Sequence, residues 1–561
     1  MRLTKIEIEN FKGIGTTQVI DLNPITLLFG PNSAGKSTIL QCLHYLREIL
    51  ERENADPDQT IAGGLIDLGG FATLVHNHDL ALPIRLSVTI DLSEEQGSER
   101  LPLNSGGSLG DAEFQELQVR YLVGENAELK MYTIVQEVGL SLEVRWSDLI
   151  QGPYVAVMIA EIDGAEVATI SSPPQTGRAQ LTNINFAHPA LASINDVDDN
   201  SEVDDAALNS PLESEVAQLA REVNLDQNAS DTTDGHFLIA VATRIGSIPD
   251  IDRELNVDLR DPDVRKVELE SRTPRVRGLS RLLDELVLGP VRIVRDYLST
   301  ITYIGPLREI PSRNYRPQHS PDETRWAQGL AAWDLLYMES SEKLLDEVNA
   351  WLSGEDRLRT GYRLEKTAFK EIPVPGGFHQ LFDRGLTEDD LGDLQELYAT
   401  LKSRTEIALR DFERGIIVAP RDVGVGISQM VPVLVGCLRD NRGIVAIEQP
   451  ELHVHPAIQV GLGDLFIRAI QPDGSPYPGK SLLIETHSEH IMLRLLRRIR
   501  ETSAGELPPG ATGLEPSDLS VIYVEGSDEG VRFLPLRVDA EGDFIDRWPK
   551  GFFEERAEEL F

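Results

Sequence analysis

The stretch GPNSAGKS at 30–37 constrains the fold of this 561-residue chain more than any other feature. It follows the short apolar run ITLLFG (25–30), which has the character of a buried strand. It precedes STILQCLHYLREIL (37–50), in which apolar residues recur at helical spacing. In that context the motif predicts a phosphate-binding loop, because glycines let the backbone wrap a phosphate and amides at the helix start face the anion. The predicted fold class is α/β, built on a parallel sheet.

Seven residues of this segment are predicted to bind nucleotide: Asn32, Ser33, Ala34, Gly35, Lys36, Ser37 and Thr38. A lysine at this position reaches the β and γ phosphates, and the serine that follows holds a magnesium ion. The predicted cofactors are therefore ATP and Mg²⁺.

The stretch AIEQPELHVHP (446–456) supplies the second half of the predicted site. The apolar segment before it ends in Glu448, a strand-end carboxylate expected to bind magnesium beside Ser37. Gln449 follows, where a second carboxylate would activate water, and a glutamine cannot take a proton from water. It can orient water through its carbonyl oxygen, and Glu451 is an alternative carboxylate. Slow ATP hydrolysis is expected, with negligible hydrolysis as the alternative.

A second glycine-rich turn lies in DVGVGISQMVPVL (422–434), where Ser428 is predicted to open an apolar helix. The start of a helix binds phosphate through its free amides and the positive end of its dipole. Gly426, Ser428 and Gln429 are the candidate phosphate contacts. One γ-phosphate does not need two such helix starts.

These segments together resemble ATP-binding-cassette-type AAA-family ATPases of the RecF, SMC and OLD (overcoming lysogenization defect) group. Within that group the chain most resembles bacterial ATPases that carry a C-terminal domain of unknown function. The matching stretches lie toward both ends of the chain: NFKGIG, FGPNSAGKST, LGGFATLVH, YIGPLRE, DVGVGISQ, IEQPELHVHP, ETHSEH and EGDFIDRWPKGFFEERAEEL.

The resemblance implies a P-loop NTPase head, formed by N- and C-terminal lobes, that dimerises head to head around two ATP molecules. Ser428 would serve the nucleotide of the opposite subunit, and His487 would hydrogen-bond the γ-phosphate or the attacking water. The resemblance also implies a role in antiviral defence or DNA maintenance. An effector protein from an adjacent gene, or DNA, would then be a partner.

The residue pattern divides the chain into four predicted parts. They are an N-terminal ATPase lobe (1–95), a β-rich insertion (96–295) with an acidic, disordered linker near 190–235, a mainly helical part of the head (296–420) and a C-terminal ATPase lobe (421–561). Strand-like segments between 83 and 171 are separated by polar or glycine-containing turns, which predicts antiparallel β structure.

Composition narrows the class of protein. A formal net charge of −39 argues against a surface that is basic all over, although a local basic groove remains compatible with it. No apolar run approaches the roughly 18 residues of a membrane span. Two cysteines, Cys42 and Cys437, make neither a disulfide framework nor a metal site. A cytoplasmic protein is expected.

Two weaker features have alternative interpretations. Arg308, after a glycine–proline turn, is either a phosphate-neutralising group or, as we favour, part of a structural salt bridge. His453 and His455 alternate as metal ligands sometimes do, and could join His487 at a metal. Packing of the loop after the magnesium strand is the favoured interpretation.

The segment IMLRLLRRIR (491–500) is the best local basic patch, with Arg494, Arg497 and Arg498 on its outer face. A solvated face or contact with acidic groups of this chain is favoured over nucleic-acid binding.

A nuclease is the third functional hypothesis. YVEGSDE (523–529) resembles the start of the metal-dependent toprim domain of OLD-type nucleases, with Glu525 at the strand end. Such a domain needs a later acidic pair at the end of another strand. Asp539 and Asp543 follow too soon for that, so no nuclease activity is expected from this chain.

Overall fold

The computed structural model describes residues 1–57, 66–93, 135–174, 179–185, 188, 239–255, 283–313, 315–320, 322–385, 387, 390–471, 480–527 and 530–549. The predicted acidic linker near 190–235 and the end of the tail, 550–561, lie outside these residues. No helix within these ranges is both long and apolar enough to cross a membrane.

The strands are β1 (Arg2–Glu9), β2 (Gln18–Asp21), β3 (Ile25–Phe29), β4 (Ile84–Asp91), β5 (Glu137–Ser147), β6 (Gly152–Ile162), β7 (Ala165–Ser171), β8 (Ala179–Ile184), β9 (Ile239–Val241), β10 (Thr243–Ile245), β11 (Ile248–Pro249), β12 (Thr302–Ile304), β13 (Tyr362–Lys370), β14 (Ser403–Asp411), β15 (Ile417–Val418), β16 (Ile444–Glu448), β17 (Ser481–Glu485), β18 (Leu519–Ser527) and β19 (Gly530–Leu536).

The α-helices are α1 (Thr38–Arg52), α2 (Phe71–Leu74), α3 (Gly289–Ser299), α4 (Glu323–Ala327), α5 (Leu330–Tyr337), α6 (Glu342–Ser353), α7 (Gly377–Arg384), α8 (Leu391–Thr400), α9 (Val425–Leu438), α10 (Pro456–Ile470) and α11 (Glu489–Ala504). Short 3-10 turns lie at His76–His78, Glu339–Ser341 and Pro516–Asp518, and a π-helical turn at Asp284–Leu288 precedes α3.

The central sheet has six strands in the order β12-β16-β17-β3-β18-β19. The first five are parallel, and β19 pairs antiparallel with β18. Strands buried on both faces read as continuous apolar runs, which explains ITLLF in β3, IVAIE in β16 and SLLIE in β17. Because these strands are parallel, their carboxyl ends and the loops that follow them meet at one edge.

Alternate residues of the central strands enter two different hydrophobic cores. Leu28 and Ala446 pack into a core shared with α1, α3 and the large antiparallel sheet described below. Leu27 and Val445, their neighbours in sequence, pack into a core with α5, α9, α10 and α11. The sheet is therefore a middle layer, and both of its faces support the edge where the loops meet.

An eight-stranded antiparallel sheet has the order β2-β1-β4-β5-β6-β7-β8-β9. The predicted antiparallel strands between 83 and 171 are present, but they do not form a separate unit. β4 pairs with β1 on one side and with β5 on the other, so they continue the sheet that the N-terminal strands begin. The boundary predicted at residue 95 thus falls within one sheet.

The prediction that 296–420 is mainly helical is wrong for two segments. β13 and β14 form a long antiparallel pair, with β15 as a third strand. Alternation in SRTEIALRD puts Ile407 and Leu409 inward, where they join the core beside α9. The charged residues Arg404, Glu406 and Arg410 of β14 are half-buried and Asp411 is buried, so charge does not mark an outer face and the two-residue period is obscured in the sequence.

Candidate functional site: a P-loop facing two strand-end carboxylates

The loop at 30–37 connects β3 directly to α1, as predicted. Gly30 has φ +149°, and a Cβ there would lie 2.4 Å from the carbonyl oxygen of Val524, so only glycine fits. Asn32 and Ser33 are exposed, Ala34 is buried, and α1 begins at Thr38. Ser37 precedes that helix and makes no side-chain cap, so the helix start faces the loop without a competing side chain.

Lys36 is buried inside this loop. Its Nζ donates hydrogen bonds to the carbonyl oxygens of Gly30, at 3.1 Å, and Pro31, at 3.0 Å. It also lies 3.7 Å from Oε1 of Glu485. Burial lowers the pKa of Lys36, and the charge of Glu485 opposes that shift. The lysine is therefore held at the loop by contacts that phosphate oxygens can replace.

Two carboxylates end the adjacent strands β16 and β17. Glu448 and Glu485 are direct partners in the parallel register, so they lie side by side at the loop edge of the sheet. The Ser37 hydroxyl donates to Oε2 of Glu485 at 2.7 Å. Burial and the neighbouring Glu485 raise the pKa of Glu448 to about 7, while a hydrogen bond from Tyr303 opposes the rise.

Neither Glu485 nor Tyr303 was identified from the sequence as a site residue. A signal for Glu485 existed, since SLLIE repeats the pattern of IVAIE: an apolar strand that ends in glutamate. Tyr303 gave no comparable signal. Its hydroxyl reaches Glu448 because β12 pairs with β16 in a register that the sequence does not reveal.

Gln449 begins the turn after the carboxylate strand, with the left-handed φ of 45°. Its N–H donates to the carbonyl oxygen of Glu485 at 2.7 Å. Arg308 Nη2 donates to the carbonyl oxygens of Glu448, at 2.6 Å, and Gln449, at 3.1 Å. The backbone of the turn is therefore held on both sides, while the Gln449 side chain is half-buried.

Arg308 is 3% exposed, and its hydrogen bonds go to backbone carbonyls rather than to a carboxylate. The favoured interpretation, a structural salt bridge, is therefore wrong about the partner. Arg308 makes a structural contact, but with backbone carbonyl groups. Burial lowers the pKa of Arg308 to about 10, so the guanidinium stays charged at neutral pH. Its Nε and Nη1 have no hydrogen-bond partner among the described residues.

Glu451 contacts the segment that follows β17, at Thr486 and His487. Oε2 of Glu451 accepts from the Thr486 hydroxyl and Oε1 from the His487 backbone N–H, both at 2.7 Å. Burial and the charge of Lys36 lower the pKa of His487, which keeps its imidazole neutral at pH 7. Its Nε2 is buried and has no hydrogen-bond partner within the described residues. A neutral ring nitrogen there can receive or supply a hydrogen bond to a bound group.

The other two histidines of the loop lie apart from this pair. His453 and His455 are exposed, and His455 Nδ1 accepts from the Ala457 N–H at the start of α10. In the part of the chain that the structure describes, no three His, Cys, Asp or Glu side chains are grouped as a metal site. His455 is thus a helix cap.

The glycine-rich turn leads into α9, but that helix begins at Val425 and not at Ser428. Ser428 is fully buried, and its hydroxyl donates to the carbonyl oxygen of Pro420 at 2.6 Å. A Cβ on Gly426 would lie 2.2 Å from the carbonyl oxygen of His453. Gly424 and Val425 form the exposed helix start. The accessible part of this helix start therefore consists of Gly424 and Val425 and not of the Ser428 side chain.

Gln429 connects α9 to the strand-end cluster. It is 8% exposed, and its Nε2 donates to the carbonyl oxygen of Arg308 at 3.4 Å. Since Arg308 holds the backbone of Glu448 and Gln449, one chain of hydrogen bonds joins the helix to the turn.

The basic patch on α11 is engaged with acidic groups of the chain itself. Arg498 is 6% exposed and donates to Asp464 at 2.7 Å and to Glu501 at 2.5 Å. Arg497 binds Glu501 at 2.6 Å, and Arg494 lies 3.5 Å from Asp464.

Glu525 lies exposed on β18, opposite Arg532 in the β18–β19 hairpin. Asp539 accepts from the Asp543 N–H at 2.9 Å within a turn after that hairpin. These two aspartates therefore do not end a further strand beside Glu525.

The cluster fits magnesium. The ion takes oxygen ligands and usually binds through one or two carboxylates plus substrate phosphates. The Ser37 hydroxyl and the two strand-end carboxylates supply that chemistry next to Lys36. Ser37 and Glu448, the predicted ligands, and Glu485 could hold the ion.

Replacing Glu448 by Gln should stabilise the nucleotide-free protein at alkaline pH. The pKa of Glu448 is raised from 4.5 to about 7, so below pH 4.5 the carboxyl is protonated in both folded and unfolded chains. As pH rises toward 7, the unfolded chain loses this proton first, and the folded state loses stability on the order of 3 kcal/mol. In EDTA, thermal unfolding should show the variant more stable near pH 8 and equal to wild type near pH 4.5. The same gain at both pH values would show that the charge is not its cause.

Comparisons with known proteins agree with this chemistry. Residues 1–90 match a family model described as "AAA ATPase domain". Residues 225–493 match one described as "AAA domain, putative AbiEii toxin, Type IV TA system". No match was found among curated proteins.

Solved structures similar to the chain include three heads of SMC proteins. One is the SMC head bound to the C-winged helix domain of ScpA, with 10% identity, 96% of this chain and 98% of that chain covered, and a TM-score of 0.35. A second is the SMC head domain from Thermotoga maritima, with 8% identity, 96% and 100% covered, and a TM-score of 0.33. A third, with an extended coiled coil and bound to the C-terminal domain of ScpA derived from Pyrococcus furiosus, has 10% identity, 100% and 98% covered, and a TM-score of 0.34.

Proposed function

Because residues 1–90 and 225–493 match models of AAA ATPase domains, we propose that the chain is an ATP-binding-cassette-type ATPase that binds ATP with Mg²⁺ and hydrolyses it slowly. The observation that carries the proposal is the cluster in which Lys36 and Ser37 meet the carboxylates at the ends of β16 and β17. A P-loop beside such carboxylates is the arrangement that positions a triphosphate and its metal.

Each side chain has a distinct part in this mechanism. Lys36 exchanges its carbonyl partners for the β and γ phosphates, and amides from Asn32 to Thr38 surround the phosphate groups. Ser37 and Glu448 would hold a magnesium ion, and the ion would supply positive charge beside the phosphates. His487, neutral and with Nε2 unpartnered among described residues, hydrogen-bonds the γ-phosphate or the attacking water. Gln449 orients that water without taking its proton.

We further propose that two heads dimerise around two nucleotides. The exposed start of α9 is a second helix N-terminus, and its positive dipole end suits a phosphate held by the opposite subunit. Gly426 and Gln429 support this surface from within, through His453 and Arg308 respectively. The head would be assembled from the N- and C-terminal lobes.

A nucleotide-gated binding module with negligible hydrolysis is the second candidate. Gln449 favours it, because the residue after the magnesium strand lacks a basic carboxylate. The Glu451 carboxylate is occupied by Thr486 and His487, so it is not free to activate water in this state. Turnover measured on pre-bound ATP separates the two candidates.

The biological setting follows from family likeness alone. One matching family model is described as a putative AbiEii toxin of a type IV toxin–antitoxin system. This match supports a role in antiviral defence, with DNA maintenance as the alternative. A cytoplasmic sensor or motor that signals to an effector from an adjacent gene fits slow turnover. DNA is the other candidate partner.

Replacing Lys36 by Ala tests the function directly. The variant should lose ATP affinity by about 100-fold or more, because every charge-assisted hydrogen bond from the Lys36 ammonium group to a phosphate oxygen is removed.

Replacing Glu448 by Ala tests the role of the metal. This variant should retain weaker nucleotide binding but lose turnover, because magnesium is no longer held. Equilibrium binding of a fluorescent ATP analogue and phosphate release, with and without DNA, measure both effects. Wild-type protein that binds no nucleotide would contradict the proposal.

A further inference from the structure

Glu485 ends β17 and contacts both functional side chains of the P-loop. Its Oε2 accepts from the Ser37 hydroxyl at 2.7 Å, and its Oε1 lies 3.7 Å from Lys36 Nζ. Its backbone oxygen accepts from the Gln449 N–H at 2.7 Å. One residue thus touches the loop that binds phosphate and the turn that follows the magnesium strand.

The hydrogen bond from Ser37 has a definite polarity. A hydroxyl has one proton and two lone pairs, and here the proton is directed to Glu485. The lone pairs of Ser37 Oγ are then left for a cation. A carboxylate that accepts a hydrogen bond from a ligand group orients that ligand and raises its basicity.

Lys36 offsets the charge of Glu485, while Arg308 and Lys36 both act on Glu448. Glu448 and Glu485 are adjacent in register, and the side chain of Glu485 is 13% exposed. Neighbouring strands lie about 4.8 Å apart, so two ionised carboxylates there repel strongly. When Lys36 turns toward the phosphates of a nucleotide, Glu485 loses this ion-pair partner, while Arg308 stays near Glu448, and the triphosphate adds further negative charge.

We propose that Glu485 is a second acidic residue of the metal site, which orients Ser37 and makes nucleotide binding depend on magnesium. A divalent cation replaces the charge that Lys36 withdraws from Glu448 and Glu485. Without the cation, the two carboxylates oppose the triphosphate. Glu485 therefore lets the site reject metal-free nucleotide. The inference rests on the proposed binding of ATP at the P-loop.

Replacing Glu485 by Gln in the full-length chain tests this role. Glutamine retains an oxygen that can accept from Ser37 but removes the negative charge. The measurement is the dissociation constant of a fluorescent ATP analogue, in excess magnesium and in EDTA. The ratio of the two constants should fall by about tenfold or more in the variant, the size of one interaction with a charged group. Most of the change should come from tighter binding in EDTA.

Glu525→Gln is the matched control. Glu525 is a glutamate on β18, which pairs with β3 on the side opposite β17, and it is exposed. Its loss should leave the ratio at the wild-type value. Thermal unfolding of both variants establishes that they are folded, and Glu485→Asp should restore the metal dependence in part.

The outcomes separate the inference from the proposed function. Nucleotide binding with the same metal dependence in wild type and Glu485→Gln would overturn the role of Glu485 and leave ATP binding intact. A folded Glu485→Gln protein that binds in neither condition would also overturn it, because the residue would then be needed for the phosphate itself. Failure of wild type to bind in either condition would reject the proposed function.

Discussion

Replacing Val425 by Glu should abolish ATP-driven dimerisation while each monomer still binds ATP. Val425 is 48% exposed and is the first residue of α9. A carboxylate at a helix start is favoured by the helix dipole, so the monomer should fold normally. In the proposed dimer the same carboxylate faces the partner's triphosphate and is desolvated beside it. A charge buried without a partner costs about 3 to 5 kcal/mol, which weakens the dimer roughly 100-fold or more.

Light scattering after size-exclusion chromatography, with and without ATP, measures the effect. Leu493→Glu is the matched control, because Leu493 is an apolar residue of similar exposure, 47%, on a different helix. If Val425→Glu dimerises with ATP as wild type does, the start of α9 is not at the interface. Ser428→Arg is a poorer test, since Ser428 is fully buried and arginine would disrupt packing in the monomer.

Replacing Gln449 by Glu should raise the rate of ATP hydrolysis by roughly 100-fold, the lower end of what general-base help contributes. The half-buried side chain follows Glu448 directly, where a carboxylate could take a proton from water. The added negative charge is repelled by Glu448 and Glu485, and this repulsion disfavours the new carboxylate in the pocket. Arg308 opposes that repulsion, because it is charged, buried beneath this turn, and has two nitrogens without partners among the described residues.

Single-turnover hydrolysis of pre-bound ATP measures the change without the steps of binding and release. Gln449→Ala, which removes the amide and adds no charge, is the comparison and should hydrolyse no faster than wild type. Fast wild-type turnover that falls in Gln449→Glu would show that another group is the base. Neutral His487 would then be the first residue to test.

The path from α9 to the site gives dimerisation a means to affect hydrolysis. Gln429 donates to Arg308, and Arg308 holds the carbonyl oxygens of Glu448 and Gln449. A nucleotide that is held by a partner subunit and contacts the start of α9 would act on a helix that is already linked to this turn by hydrogen bonds. The start of α9 and the turn at Gln449 are therefore connected parts of one structure.

Much of the site could be predicted because its chemistry lies within contiguous segments. A strand, a glycine-containing loop and a helix follow one another in 25–50, so Lys36 and Ser37 are positioned by their own neighbours. The strand that ends in Glu448 is recognisable for the same reason, since continuous apolar residues mark a strand buried on both faces. The α/β class and the parallel sheet followed from these patterns.

The remaining features depend on contacts between distant parts of the chain. Ser37 and Glu485 are 448 positions apart, and they meet only because β3 and β17 are adjacent in the sheet. Strand order, the register that places Tyr303 at Glu448, and the continuation of β1 into the large antiparallel sheet are set by pairing partners that no local pattern encodes. The direction of Ser428 into the core was decided by where α9 begins and packs. Local sequence thus determined which groups bind phosphate and metal, whereas tertiary packing decided which side chains face them, because only the folded chain brings distant backbone and charge within hydrogen-bonding distance.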